Sequence, residues 1–405
     1  LAYQSGVVKG MGGGTFAPES EVLYEQFVKM LVAALGYEPA VETLGGYPTG
    51  YWHMAMQKGI LTRGISADTV LTHELCARLI EKALVTSVLL TDTVTVEYGK
   101  YFSDFKESDE KTVLNVFRGI NRGKGILDAT MLGGLNGINV NGNTVMLDGR
   151  IYNIDTDIID ADKVNELIGC NVEFYYRTDN DGNGKIVFMS KSDLNRILTV
   201  ERHNVYEVSG TYIKYTDGDA NKSINIFDCI TLYNGQKCTF SKSVLDGAID
   251  GVIDFIDNNG DGKYEVMNIN SFSYYAAEQL VARNMTVTDK FTNGILKSDE
   301  YENVFVYNEY GKKIAFSDIK IGNVLRIKTP LDGNDKKFIS ITVYDGEKVA
   351  TVESIGSGGA LKRVKLDGEW YDISLWAKKL EKDKAVAALE TGESYTFYSC
   401  GNRVV

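Results

Sequence analysis

Two stretches of this chain spell nearly the same strand, turn and strand. Thr144 to Ile154 reads TVMLDGRIYNI, and Arg363 to Ile373 reads RVKLDGEWYDI. They share Val, Leu, Asp, Gly, Tyr and Ile in register. Asp-Gly between alternating apolar residues signals a two-residue hairpin turn, because both turn positions need positive φ and these residues tolerate it. Two equivalent hairpins are therefore expected, with Leu147 and Leu366 before the turn. Tyr152 and Tyr371, each three residues past the glycine, should occupy matching places. A hairpin restated this far along a chain points to repeated units.

Matching second halves follow each hairpin. IGCNVEFYYRTDNDGNGKIVFM follows the first and TGESYTFYSCGNRVV the second. Ala248 to Ile269 and Ile319 to Val343 restate that second half more loosely, as strand, Asp/Asn/Gly turn and strand. Four units fit between about residue 110 and the end. Short strands at this spacing with Gly and Asn turns predict small all-β domains, sandwiches or partly open barrels. The 24 tyrosines and 16 phenylalanines suit strands, and 41 glycines against four prolines suit many tight turns.

The first quarter reads differently. ESEVLYEQFVKMLVAALGY puts Val22, Leu23, Phe27, Met30, Leu31, Ala34 and Leu35 on one helical face, with Ser20 as cap and Gly36 as stop. YWHMAMQKGIL predicts a short helix ending at Gly59. SADTVLTHELCARLIEKAL predicts a longer one with Leu71, Leu75, Leu79, Ile80 and Leu84 at helical spacing. One cluster around Phe27, Leu31, Trp52, Leu75 and Leu79 is expected. The glycines before it, in VVKGMGGGTFAP, are followed by Thr-Phe-Ala-Pro and not by Lys-Ser/Thr, so they do not form a phosphate loop. VLLTDTVTVEYGKYFSDF then alternates like a strand and leads out of the helical part.

This order of helix tail, Gly-Ile/Val, loop and longer helix, stated twice, resembles the S-layer homology (SLH) module of bacterial surface proteins. The likeness rests on Gly6-Val7-Val8-Lys9-Gly10, on Gly14 to Pro18, on Phe27 with Met30-Leu31, and on Leu35-Gly36-Tyr37. In the second copy it rests on Tyr51-Trp52, Ala55, Gly59-Ile60-Leu61 and Ala77-Arg78-Leu79-Ile80. The resemblance implies a three-helix cluster and, through a Thr-Arg-Ala-Glu motif, attachment to cell-wall polysaccharide. Leu23-Tyr24-Glu25-Gln26 and Thr72-His73-Glu74-Leu75 stand where that motif belongs. Both arginines, the natural bidentate partners of an acidic sugar substituent, are replaced, so the binding motif is degraded. The first copy lacks its opening helix, so the chain is expected to begin inside a longer polypeptide. The β repeats are similar in grammar to those accompanying degenerate SLH repeats in Firmicutes and their phages.

The resulting expectation is an α+β multidomain chain. An SLH-like helical module spans 1–95, and β domains span 96–195, 196–275, 276–346 and 347–405. A composition of 44% hydrophobic and 24% charged residues across 405 residues fits ordered domains and argues against disorder. A net charge of −12, with no basic stripe carrying interleaved aromatics, excludes nucleic acid as the expected partner. No apolar run is long enough to span a membrane as a helix. Cys76, Cys170, Cys229, Cys238 and Cys400 contain no Cys-x-x-Cys pair, and across the Asn234-Gly235 turn Cys238 should face Thr231, not Cys229.

No enzyme signature appears. His53, His73 and His203 lie apart, without a nucleophile elbow or a His-Glu-x-x-His motif. Two loops do carry alternating oxygen side chains before a glycine: Asp179, Asp181, Asn183 and Gly184, and Asp257, Asn259, Asp261 and Gly262. That is the first half of an EF-hand-like calcium loop. Its bidentate glutamate is missing, since the twelfth positions are Ser190 and Asn268. The same pattern also makes an ordinary polar hairpin tip. Calcium would therefore need a substitute ligand, such as Glu265 in the second loop.

The expected function is that of a non-enzymatic structural protein on an extracellular bacterial surface, of S-layer type. Its partners would be copies of itself or other structural subunits. A virion fibre, collar or decoration protein is the alternative, and a non-catalytic fragment of a carbohydrate-active enzyme the third reading.

Overall fold

The computed structural model describes residues 7–8, 10, 17–97, 100–179, 182–358, 361–377 and 389–405. The chain divides into two compact units. One comprises 1–123 with 175–183, the other 124–174 with 184–405.

The first unit opens with four helices: α1 (Tyr24–Ala34), α2 (Glu38–Glu42), α3 (Thr49–Gln57) and α4 (His73–Leu84). They enclose one core that includes Tyr24, Val28, Val32, Leu35, Tyr51, Met54, Leu75 and Leu79. Phe27, Leu31 and Trp52 are half-buried at its margin. The buried stripe of α1 is therefore rotated by about one residue from the expected face, and Ala34 is exposed. Nearly every position from Val22 to Leu35 is apolar or aromatic, so periodicity alone does not select a face. Tyr24 goes inward because its hydroxyl has a partner there, accepting from Thr62 N at 2.7 Å. Ser20 is not the cap. Leu23 takes that place, and its N–H donates to Gln26 Oε1 at 3.0 Å. The helix stops at Gly36 as expected, with Gly36 N donating to Ala33 O and Tyr37 N to Val32 O. Thr72 caps α4 by accepting from Leu75 N at 3.2 Å. A long antiparallel hairpin follows, β1 (Ser87–Glu97) and β2 (Lys100–Thr112).

Next comes a closed five-stranded barrel: β3 (Ile120–Ala129), β4 (Thr144–Leu147), β5 (Arg150–Ile154), β6 (Asn171–Thr178) and β7 (Gly184–Lys191), in the order β3-β4-β5-β7-β6. The chain ends in a second: β21 (Glu347–Gly358), β22 (Leu361–Leu366), β23 (Glu369–Ile373), β24 (Ser394–Cys400) and β25 (Arg403–Val404), in the order β21-β22-β23-β25-β24. The two orders are the same. Each barrel has its Asp-Gly at a hairpin tip, with Leu147 paired to Arg150 and Leu366 to Glu369. Asp148 and Gly149 have φ of 45° and 74°, and Asp367 and Gly368 have 52° and 85°, so both tips are left-handed at both positions. Val145 pairs with Tyr152 and Val364 with Tyr371, so the tyrosines hold the same register. In each copy a carboxylate from the neighbouring strand accepts the turn glycine's N–H, Asp128 at 2.6 Å and Glu353 at 2.7 Å. The barrels are closed, not partly open, because β5 pairs in parallel with β7, and β23 with β25. Closure removes the sheet edge.

Between the barrels lie β8 (Arg196–Glu201), a three-stranded sheet of β9 (Val205–Ser209), β10 (Tyr212–Asp217) and β11 (Ala220–Asn225), and then a larger sheet. The larger sheet is built on β15 (Val266–Val281). Its N-terminal half pairs with β12 (Ile230–Tyr233) and β14 (Asp250–Asp257). Its C-terminal half pairs with β16 (Thr286–Asp289) and β19 (Val324–Lys328), and the sheet continues through β20 (Phe338–Tyr344) to β18 (Asn303–Asn308). Three buried clusters form along β15: Met267 and Ile269 lie in one, Ala277 in another, and Tyr274 and Ala276 in a third. Cys238 N donates to Thr231 O at 3.0 Å, the facing expected across Asn234-Gly235, and all five cysteines are free thiols.

Candidate metal centre

The loop from Asp257 to Glu265 joins β14 to β15. Asp257 ends β14 on an inward position and is buried, with 1% of its surface exposed. Burial pushes its carboxyl toward the neutral form. Three backbone N–H groups outweigh that, and with Arg196 they hold it below the usual carboxylate range. The donors are Gly260 at 2.6 Å and Asn259 at 3.3 Å to Oδ1, and Gly262 at 2.9 Å to Oδ2. Gly260 and Gly262 have φ of 80° and 89°, which wraps the backbone around the carboxylate. Asn259 Oδ1 accepts from Asp261 N, and Asp261 Oδ1 accepts from Lys263 N, both at 2.8 Å.

Glu265 closes the loop. Its Oε2 accepts from Asn258 N at 2.9 Å and its Oε1 from Asn259 Nδ2 at 3.1 Å. Asp257, Asp261 and Glu265 each bring an oxygen within 4.8 Å of the others. Three carboxylates with a nearby amide oxygen are hard ligands suited to calcium or magnesium, not to zinc or copper. The loop's N–H donors already satisfy much of the same oxygen set, so its geometry also stands as a self-contained polar turn.

The other candidate loop is built differently. Asn183 N donates to Asp179 Oδ1 at 2.8 Å, and Asn183 Nδ2 to Asp179 Oδ2 at 3.2 Å, so Asn183 turns its amide donor toward the carboxylate. Asp181 lies outside the described residues. The position matching Glu265 is Val187, which offers no side-chain ligand.

The three histidines lie far apart in sequence, and His53 and His73 are exposed. His203 sits 3.9 Å from Glu201 Oε2, and burial followed by the nearby Arg403 charge lowers its pKa. It belongs to a polar group that sequence reasoning missed. Arg403 of β25 donates to Asp250 Oδ1 at 2.7 Å and to Glu201 Oε2 at 3.1 Å. Arg403 lies 153 residues from Asp250 and 202 from Glu201 in the chain, and nothing local marks the group.

No family model matches the chain. Two bacterial proteins resemble it over most of its length. A "Cell surface protein" of Thermoanaerobacter kivui is 24% identical over 401 residues, covering 96% of this chain and 46% of that protein. A "Middle cell wall protein" of Brevibacillus brevis is 23% identical over 397 residues, covering 84% of this chain and 36% of that protein. The chain thus spans less than half the length of either relative.

Proposed function

We propose that this chain is a non-enzymatic structural segment of a bacterial envelope protein of S-layer type, exposed on the cell surface. The likeness to a cell surface protein over 96% of the chain carries this reading. A second wall-associated relative supports it. The virion and enzyme-fragment readings gain no support from either relative.

In this reading the helical cluster is a degenerate SLH-like module, and the β domains are spacers that present side surfaces to copies of the same chain or to other envelope subunits. Wall polysaccharide is not its ligand through the family motif, since both arginines are replaced. Calcium at Asp257, Asp261 and Glu265 would stiffen the junction of β14 and β15 where that ion is abundant outside the cell.

Immunogold labelling of intact cells of the producing organism tests the localisation, with surface proteolysis as the parallel measurement. Gold on the outer face and loss of the protein on proteolysis are expected. Label confined to the cell interior, or to virions, would overturn the proposal.

A further inference from the structure

A cleft of about 320 Å³ opens in the second unit, lined among others by Asp254, Asn270, Phe272, Phe305, Tyr307 and Lys328. Four of these come from three adjacent strands. β15 pairs antiparallel with β14 on one side and with β19 on the other. Asp254 lies opposite Asn268, two residues from Asn270. Ser273 lies opposite Ile327, which brings Lys328 beside Phe272. Strand alternation therefore places Asp254, Asn270 and Lys328 on one sheet face, while Ile253, Phe255 and Ile269 fill the core on the other.

The three polar groups form a chain of hydrogen bonds. Lys328 Nζ donates to Asn270 Oδ1 at 3.2 Å. Asn270 Nδ2 donates to Asp254 Oδ2 at 2.8 Å, and Thr199 Oγ1 donates to Asp254 Oδ1 at 2.6 Å. This arrangement fixes the amide's orientation. Turned over, it would set donor against donor at Lys328 and acceptor against acceptor at Asp254. Lys328 Nζ also lies 5.3 Å from the Phe272 ring centre. Desolvation, with Arg326 nearby, holds its ammonium below the usual lysine range, against the pull of Glu166 and Asp254. A lysine amine that has lost its proton is a nucleophile, and this one lies against a carboxamide, 3.2 Å from its oxygen.

We propose that Lys328 and Asn270 join in an intramolecular isopeptide bond, with Asp254 delivering a proton to the leaving nitrogen. The lysine ammonium first gives one proton to solvent in the cleft. The Nζ lone pair then forms the Nζ–Cγ bond to Asn270. The second Nζ proton passes to water in the cleft, and Asp254, 2.8 Å from Nδ2, relays a proton from that water to the leaving nitrogen. The Cγ–Nδ2 bond breaks and ammonia leaves through the cleft. One amide replaces another, no electrons are gained or lost, and no co-reactant is needed. The bond would tie β15 to β19 and close a loop between residues 58 apart. Among the described residues the cysteines are all free, so this would be a covalent staple that reducing conditions cannot open. The chemistry does not depend on where the protein resides.

Intact mass and tryptic peptide mapping of the purified chain test the proposal. The expected result is a mass lower by one ammonia, with a branched peptide joining the Lys328 and Asn270 segments and no cleavage after Lys328. Lys328→Arg and Asp254→Asn proteins should keep the full mass and melt at a lower temperature than the parent. Unmodified linear peptides carrying Lys328 and Asn270 would overturn the proposal. So would deamidation of Asn270 by water, or an ammonia loss that maps to a succinimide such as one at Asn234-Gly235. The parent protein's peptide map decides the matter even if a variant fails to fold.

Discussion

Replacing Arg403 with methionine removes a charge from the seam between the C-terminal barrel and the strands β8 and β14. The Arg403 side chain is 17% exposed and that of Asp250 only 4%. Breaking a buried pair by deleting one partner costs about 3–5 kcal/mol, because the other charge stays behind unpaired. Asp250 limits that cost. Burial already raises its pKa, against the opposing pull of Arg403, so without the arginine it takes up a proton more readily still. We expect a loss near the low end, about 3 kcal/mol, close to neutral pH.

The pH dependence follows from the sign of each shift. In the Arg403→Met protein the folded pKa of Asp250 lies further above its unfolded value. Its destabilisation is complete above that folded pKa and vanishes below the unfolded value of about 3.9. His203 acts in the same direction. Burial and then the Arg403 charge depress its folded pKa, so the parent loses stability as pH falls through that range. The variant loses less, because one cause of the depression is gone. The stability gap should therefore narrow steadily from about pH 7 to about pH 4. Urea unfolding across that range measures it. Adding Asp250→Asn to the variant should flatten most of the dependence. A gap under about 1 kcal/mol at neutral pH, or one constant with pH, would refute the reasoning.

Leu79→Ala, at a fully buried position of the helical cluster, should cost about 2–5 kcal/mol by thermal or urea unfolding, and Leu31→Ala distinctly less because Leu31 is only half-buried; equal losses would contradict the packing described. Millimolar calcium should raise the melting temperature, by about 1.4 kcal/mol of stabilisation at tenfold excess over a Kd of ~10⁻³ M, and Asp257→Asn should abolish the response. A melt indifferent to calcium and to chelator would leave the Asp257 loop as a polar turn. Purified wall sacculi should retain the protein weakly or not at all, and saturable retention that survives moderate salt would show that other residues replace the lost arginines.

The sequence made visible what is local. Asp148-Gly149 and Asp367-Gly368 announce their hairpins because turn chemistry acts within a few residues. The Asp257 loop is legible for the same reason, down to Glu265 eight positions on. The inward face of α1 was not legible, because its apolar stripe is nearly continuous and Tyr24 goes inside only through the distant Thr62 N–H. Barrel closure was hidden as well, since it depends on the parallel pairing of Asn153 with Lys185 and of Asp372 with Arg403. The groups Asp254, Asn270 and Lys328, and Glu201, Asp250 and Arg403, meet only after long stretches of chain have folded. Each residue alone reads as a common surface polar.

β15 also bears on how such a chain can change over evolutionary time. Alternation along this one strand assigns Met267 and Ile269 to one core and Ala277 to the next. Inserting a single residue between them, near Phe272, would turn every later side chain of the strand to the opposite face. A one-residue length change here must be absorbed by a bulge, as the strand already carries between Ala277 and Gln279, or be matched by a second change. The two halves cannot be shuffled or duplicated independently, as modules joined by a loop could be. Change by insertion is left to the connections outside the strand and to its bulge, while the regularly paired parts of residues 266–281 diverge by substitution.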